Sequence, residues 1–199
     1  MDKESESWES LTRAFNTSKG VMTYAQLADA IAPNLLALLD DVVDGKFANR
    51  LYDEDLILEF HNRIVGGILP DIAGKWRKED VQVGHYVPVE YYKVPMVMRE
   101  YAENVRIRLA NADTVELQVE LLAYAEGEFL HIHPFADFNG RTIRVLLTEL
   151  SMRLEFPPID TSVERDTERF RAYQNALAEY DNGRMRALVE FWIERLSEE

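Results

Sequence analysis

Apolar residues recur at helical spacing along most of the chain. In Tyr24–Leu39 and in Asp53–Ile68 they lie three or four positions apart, which is the period of one helix face. Pro33 interrupts the first stretch and predicts either two helical pieces or one kinked helix. Gly66 and Gly67 predict the end of the second helix. Both stretches are therefore expected to bury one helix face against a core.

The same spacing continues through the C-terminal half. Pro95 is expected to open a helix that runs through Val105, and Asp113 and Thr114 are candidate N-caps of the next helix. The two helices after these caps have apolar stripes at Leu117, Leu121, Ala125 and Phe129, and at Ile143, Leu146, Leu147, Leu150 and Leu154. Two C-terminal helices are expected, at Phe170–Leu177 and Leu188–Leu196. The turn between them is expected at Asp181–Gly183.

One segment, Val81–Val89, has a β-type pattern. It is rich in valine, and Gly84 and Pro88 interrupt it, so it predicts a short extended segment or hairpin at an edge position. A plain structural hairpin and a functional one are equally compatible with this pattern. The fold class predicted from the whole chain is all-α with one small β element.

Composition narrows the classes of function. The 199 residues include 22 Lys and Arg against 36 Asp and Glu, a formal net charge of −14, which disfavours nucleic-acid and membrane-surface partners. Cysteine is absent, which excludes disulfides, thiol chemistry and Cys-type zinc sites. The polar N-terminus does not resemble a secretory signal, and no apolar run reaches the ~18 residues of a spanning helix, so a cytoplasmic protein is expected.

Chemistry concentrates in His131–Arg144, between two helical stripes. A loop that opens a helix presents unpaired N–H groups and a partial positive charge, which suit a phosphate group. Arg141 and Arg144 are three residues apart and project to one side, so together they suit a di- or triphosphate. Asp137 can hold a Mg²⁺ ion that bridges the phosphates, and His133 can act as a general base on a hydroxyl.

Two alternatives remain open for these residues. Arg141 could pair with Glu149 while Asp137 caps the helix, but a structural cap requires neither a histidine nor two arginines. His131 and His133 with Asp137 could instead bind Zn²⁺ or Fe²⁺, although no further histidine lies nearby in the sequence. The set as a whole favours a site for a polyphosphate.

The segment resembles the motif of the Fic family, His-x-Phe-x-(Asp/Glu)-(Gly/Ala)-Asn-(Gly/Lys)-Arg-x-x-Arg. Seven positions match it: His133, Phe135, Asp137, Asn139, Gly140, Arg141 and Arg144. Similarity extends to Gly74–Arg77, Tyr173–Leu177 and Leu188–Phe191. The resemblance implies a Fic-like helical domain over residues 50–199, a small β-hairpin flap at Val81–Val89, and an N-terminal helical extension over residues 1–49.

The resemblance also implies an activity, the transfer of AMP from ATP to a Ser, Thr or Tyr hydroxyl of a target protein. His133 would deprotonate the hydroxyl, and Asp137 would bind Mg²⁺. Arg141 and Arg144 would neutralise the β- and γ-phosphates. Asn139, Gly140 and the loop amides would hold the phosphates. The flap would align an extended stretch of the target by strand addition.

Position 138 departs from the family pattern, because Phe138 replaces Gly or Ala in the turn that cradles the phosphates. Either the turn has ordinary dihedral angles there with the ring pointing away, or the nucleotide binds differently. Two alternatives follow, namely transfer of another group such as UMP, GMP or phosphocholine, and a catalytically degenerate binding module. Gly140, where a kinase branch of the superfamily has Lys, favours nucleotidyl transfer.

Many Fic proteins carry an inhibitory helix with the pattern (Ser/Thr)-x-x-x-Glu-(Gly/Asn). Only near misses occur in this chain, at Ser5 with Glu9 and at Ser151 with Glu155. We therefore expect restraint from a separate inhibitory partner, from oligomerisation, or not at all.

Overall fold

The computed structural model describes residues 14–157 and 159–197. The predicted all-α class is confirmed, because this part of the chain contains seven α-helices and a two-stranded sheet. The strands are β1 (Ala14–Thr17) and β2 (Gly20–Thr23). The helices are α1 (Tyr24–Val43), α2 (Glu54–Val65), α3 (Val94–Ala110), α4 (Val115–Ile132), α5 (Asn139–Arg153), α6 (Glu168–Asp181) and α7 (Arg186–Ser197).

The sheet lies near the N-terminus rather than in the flap segment. Strands β1 and β2 pair antiparallel with Ala14 opposite Thr23, and Gly20 takes a φ of 101° in the turn. The expected hairpin at Val81–Val89 is reduced to one antiparallel pair, between Val83 and Tyr86. The N-terminal extension, expected to be helical, therefore begins its described part with a hairpin and continues as α1.

Local capping decides where the helices begin. Thr23 and Gln26 form a capping box at the start of α1, which runs through Pro33 as one helix rather than two. The Asp53 side chain accepts the Leu56 N–H and so caps α2. Of the two candidate caps for α4, the structure uses Thr114, whose hydroxyl accepts the Leu117 N–H.

One hydrophobic core includes residues from the hairpin, from all seven helices and from the connecting segments. Helix α5 lies at its centre and packs against α1, α2 and α4, so its N-terminus is held by three neighbours. The hairpin is tied to the end of α2 by Ser18, whose N–H and hydroxyl donate to the carbonyls of Ile68 and Gly67.

Helices α6 and α7 are anchored to α4 through a buried carboxylate. Glu126 accepts hydrogen bonds from the Tyr173 hydroxyl at 2.6 Å and from the Trp192 indole at 2.8 Å. Burial beside this carboxylate raises the pKa of the Tyr173 phenol well above its ordinary value. These bonds fix both C-terminal helices against α4 because a buried carboxylate needs its donors. None of the helices in the described ranges is long and apolar enough to span a membrane.

Candidate functional site

A six-residue loop, residues 133–138, joins α4 to α5 and includes two left-handed residues. His133 ends α4 with a φ of 51°, and Phe138 precedes α5 with a φ of 63°. The Asn139 side chain braces the loop, since its amide donates to the Phe135 carbonyl and its oxygen accepts the Phe135 N–H, both at 2.9 Å. Asn139 thus shapes the loop with its side chain, and its backbone N–H belongs to the first turn of α5.

The N-terminus of α5 has no side-chain cap, because its N-cap residue is Phe138. The first N–H groups of a helix, here those of Asn139 and Gly140, have no intrahelical acceptor and can bind an anion. Nothing lies within 4 Å of where a Cβ on Gly140 would stand, so this glycine keeps the cleft open beside the helix end. The arrangement matches the predicted anion site at a helix N-terminus.

A cleft of about 710 Å³ lies at this helix end. All seven residues predicted for catalysis, nucleotide binding and metal binding line it: His133, Asp137, Phe138, Asn139, Gly140, Arg141 and Arg144. Residues that the sequence did not single out for chemistry complete the wall, among them Tyr24, Gln82, Val163 and Arg165. The structure therefore brings the whole predicted set into one cavity.

His133 is set to be a neutral imidazole. Burial is the largest effect and lowers the pKa of its ring; the Leu130 carbonyl opposes this shift, Arg77 lowers the pKa further, and Asp137 raises it slightly. The His133 side chain lines the cleft. A neutral imidazole at the cleft wall can accept a proton, as a general base must.

The Arg141 guanidinium lies between two aromatic rings. Its Cζ atom is 5.2 Å from the centre of the Phe138 ring and 5.5 Å from that of the Tyr24 ring, whose hydroxyl accepts from Nη2 at 3.4 Å. Its Nη1 atom is buried without a hydrogen-bond partner. The alternative pairing with Glu149 is not formed, since Glu149 binds Arg153 at 2.5 Å.

Phe138 adopts a backbone conformation that glycine takes more readily than other residues. Its φ of 63° and ψ of 15° are left-handed, so the first alternative, ordinary dihedral angles, is wrong. Only 5% of the residue is exposed, because the ring packs into the core beside Arg141. Burial of the ring offsets the backbone strain, and the turn retains its shape.

Asp137 lies at the cleft, and its carboxylate accepts the Phe138 N–H at 2.7 Å. The alternative zinc or iron site is not supported, because His131 uses both ring nitrogens elsewhere, on Tyr86 and Asp181. Within the described ranges no three His, Asp or Glu side chains come together to hold a metal ion.

His61 positions the loop, a role that the sequence did not reveal. Its ring stacks on Phe135 at 3.8 Å and 3° between planes. Nδ1 accepts the Gly74 N–H at 3.0 Å, so Nε2 carries the proton and donates to the Asp137 carbonyl at 3.3 Å. Burial lowers the His61 pKa to about 4, so the ring stays neutral. No local pattern could have identified this residue, because Asp137 is 76 positions away.

Buried Arg77 joins the flap, residues Val81–Val89, to the loop of residues 133–138. Its guanidinium donates to the carbonyls of His133, Glu79 and Val89, and its N–H donates to the Pro134 carbonyl at 2.9 Å. One side chain therefore holds Glu79, two residues before the flap, and Val89, its last residue. Val81 and Gln82 at the start of the flap line the cleft.

Comparisons with protein-family models, curated proteins and solved structures identify similar proteins. A family model described as the Fic/DOC family matches residues 51–151, from just before α2 into α5. The protein adenylyltransferase fic-1 of Caenorhabditis elegans is 36% identical over 117 residues, which make up 58% of this chain and 22% of that protein. The protein adenylyltransferase Fic of Drosophila persimilis is 32% identical over 137 residues, or 68% of this chain and 25% of that one.

The chain spans about a quarter of the length of these curated relatives. Among solved structures, the BepC protein of Bartonella tribocorum with bound AMPPNP has a TM-score of 0.70 and 13% identity over 91% of each chain, a likeness of fold. Since the family model covers half of the chain and includes the entire catalytic loop, this protein belongs to the Fic/DOC family.

Proposed function

We propose that this protein transfers AMP from ATP to a hydroxyl group of a target protein. One observation carries the proposal, namely that the uncapped N-terminus of α5, the arginines Arg141 and Arg144 and the neutral ring of His133 meet in one cleft. The first two features suit a polyphosphate, and the third suits a hydroxyl nucleophile. The names of the curated relatives support the same activity.

The step follows from these positions. His133 takes the proton of the target hydroxyl, and the oxygen forms a bond to the α-phosphorus of ATP. The bond between the α-phosphorus and the bridging oxygen of the β-phosphate breaks, and pyrophosphate leaves with that oxygen. Arg141 and Arg144 stabilise the charge that develops on the leaving group. The N–H groups of Asn139 and Gly140 hold the phosphates at the helix end.

Asp137 is the group that would hold Mg²⁺. A single carboxylate in a phosphate site fits this ion, which proteins bind through one or two carboxylates together with substrate phosphates. When bound, the ion would neutralise phosphate charge. The Phe138 N–H and the His61 contact fix the loop that carries this carboxylate.

Phe138 does not argue for a degenerate binding module, because the residue keeps the left-handed turn and its ring is packed against Arg141. Donors other than ATP, such as UTP, GTP or a phosphocholine donor, belong in the same assay.

We propose residues 50–199 as the Fic unit and residues 1–49 as its extension, with the target protein binding along the flap.

The structure describes only one of the two near misses to the inhibitory motif, the pair Ser151 and Glu155. The pair Ser5 and Glu9 lies outside the described residues. Glu155 follows the C-terminus of α5, about 16 Å along the helix axis from Arg144, too far to form an ion pair with it. We therefore propose that a separate inhibitory partner or oligomerisation restrains the site, if anything does.

The test incubates purified protein and lysate with Mg²⁺ and each labelled donor, and mass spectrometry identifies the adduct. We expect AMP on protein hydroxyls with ATP, and a rate that falls about 10²- to 10⁴-fold in His133→Ala while nucleotide binding persists. If no donor gave an adduct, and wild type and His133→Ala bound nucleotide equally weakly, the proposal would be wrong.

A matched pair of arginine variants tests the phosphate contact. Arg144→Ala removes a cleft cation and should weaken ATP binding about 10- to 100-fold, as expected for a charge-assisted hydrogen bond. Arg186→Ala removes an exposed arginine of α7, which pairs with Glu190 away from the cleft, and should leave ATP binding unchanged. Equal effects of the two variants would contradict the assignment of Arg144.

A further inference from the structure

Three side chains outside the Fic motif form a hydrogen-bonded chain between the flap and α6. Asp181, the last residue of α6, lies 2.9 Å from Nδ1 of His131, and Nε2 of His131 lies 2.8 Å from the Tyr86 hydroxyl. The Tyr86 and His131 rings also pack against each other, with centroids 4.6 Å apart. This series of hydrogen bonds therefore links the tip of the flap to helices α4 and α6.

The direction of the protons follows from the donors and acceptors. A carboxylate only accepts, so His131 donates from Nδ1 to Asp181, and its Nε2 accepts the Tyr86 O–H. Burial raises the pKa of the Tyr86 phenol to about 12, which keeps the hydroxyl protonated and able to donate. With a neutral His131 ring, each of the two donors therefore faces an acceptor.

The flap needs such an anchor. Its internal pairing consists of two backbone hydrogen bonds between Val83 and Tyr86, each 2.9 Å, and a hairpin of this size is not stable by itself. The bonds from Arg77 reach Glu79 before the flap and Val89 at its end, whereas the tip lies between Val83 and Tyr86. The tip is held by Tyr86 through His131.

His131 connects the flap tip to the catalytic base. It belongs to the last turn of α4, two residues before His133. Asp181 is equally fixed, because α6 is anchored to α4 by the buried Glu126. A flap held at this point has a set position relative to the nitrogen that would deprotonate the target.

We propose that Tyr86, His131 and Asp181 form a latch that positions the flap for the target protein. The three act as positioning residues and do not contact the reacting atoms. The inference rests on the proposed function for its effect on transfer, whereas its effect on the flap itself is independent of that function.

Hydrogen exchange of the flap amides measures the latch directly. Tyr86→Phe removes one oxygen and keeps the ring, and Asp181→Ala removes the acceptor of His131, so both should speed exchange across residues 81–89 about two- to tenfold. Asp181→Asn keeps an acceptor oxygen and should restore slow exchange. Tyr180→Phe is the matched control, because it keeps the ring that packs on His131 and removes only a hydroxyl that donates to Glu128 at 2.9 Å.

Kinetics with the acceptor protein found in the labelling experiment test the positioning role. Tyr86→Phe should raise KM for that acceptor about two- to tenfold and leave KM for ATP unchanged, with Tyr180→Phe like wild type. Unchanged flap exchange in Tyr86→Phe and Asp181→Ala overturns the latch, as does an equal increase in Tyr180→Phe. Faster exchange with an unchanged acceptor KM overturns its role in positioning. Absence of transfer by wild type refutes the proposed function, and flap exchange still decides the latch.

Discussion

The left-handed backbone at Phe138 predicts which of two variants at this position has the larger free energy of unfolding. Phe138→Ala and Phe138→Gly both delete the buried ring, and they differ only in whether a Cβ remains on a residue with a φ of 63°. At an ordinary helix or strand position, alanine is more stable than glycine by about 0.5–1 kcal/mol. At position 138 the order should reverse.

The magnitude follows from three contributions. Loss of a buried phenylalanine ring costs about 3–5 kcal/mol in both variants. A left-handed backbone costs a residue with a Cβ about 1–2 kcal/mol, a strain that glycine does not have. Glycine also gains about 0.4–1 kcal/mol of entropy in the unfolded chain. We therefore expect Phe138→Gly to be more stable than Phe138→Ala by about 0.5–1 kcal/mol, with both below wild type.

Urea unfolding of the three proteins, followed by circular dichroism, gives the free energies of unfolding. Ala178→Gly provides the control for ordinary backbone, since Ala178 is an exposed residue within α6, and this change should cost about 1 kcal/mol. If Phe138→Ala proved as stable as Phe138→Gly or more so, residue 138 would not be left-handed. The account of how the phosphate turn tolerates phenylalanine would then be wrong.

Three further predictions follow from the site. Tyr24→Ala should raise KM for ATP about two- to fivefold, and Tyr24→Phe less, because the retained ring still flanks Arg141; steady-state rates over a range of ATP concentrations measure both. Buried His61 has a pKa of about 4 in the folded protein and 6.5 in the unfolded chain, so the unfolded chain binds a proton first as pH falls. The free energy of unfolding is therefore full above pH 6.5 and decreases as pH falls towards 4. Wild type should therefore lose ~3 kcal/mol relative to His61→Phe between pH 7 and 4 in denaturant titrations, and parallel pH profiles would contradict the neutral His61. Glu155→Gly should leave self-transfer within about twofold of wild type, because about 16 Å of helix separates this residue from Arg144; a large gain in labelled product would show that Glu155 restrains the site.

The helices could be predicted from the sequence because their signals are local. An apolar period of three to four residues reports which face of α4 or α5 meets the core, and a Thr or Asp before such a run reports where the helix begins. The β1–β2 hairpin was not predicted, because its local signal is too short. Its strands have four residues each, too few for alternation to stand out from the surrounding helical pattern.

The catalytic loop was predictable as a set of residues but not as a geometry. Seven motif positions lie within twelve residues, and the sequence placed them together at a helix N-terminus. It did not reveal the left-handed φ at Phe138, since phenylalanine rarely adopts that region and only burial of its ring offsets the strain.

By itself, the sequence determined the helical fold class, the family resemblance and the set of candidate site residues, because each depends on spacing within about a dozen positions. The tertiary structure alone decided which distant side chains hold those residues in place. Tyr24 reaches Arg141 across 117 positions, His61 reaches Asp137 across 76, and Asp181 reaches His131 across 50. Such pairs leave no period in a single sequence, because they arise only when the packing of the core brings separate helices together.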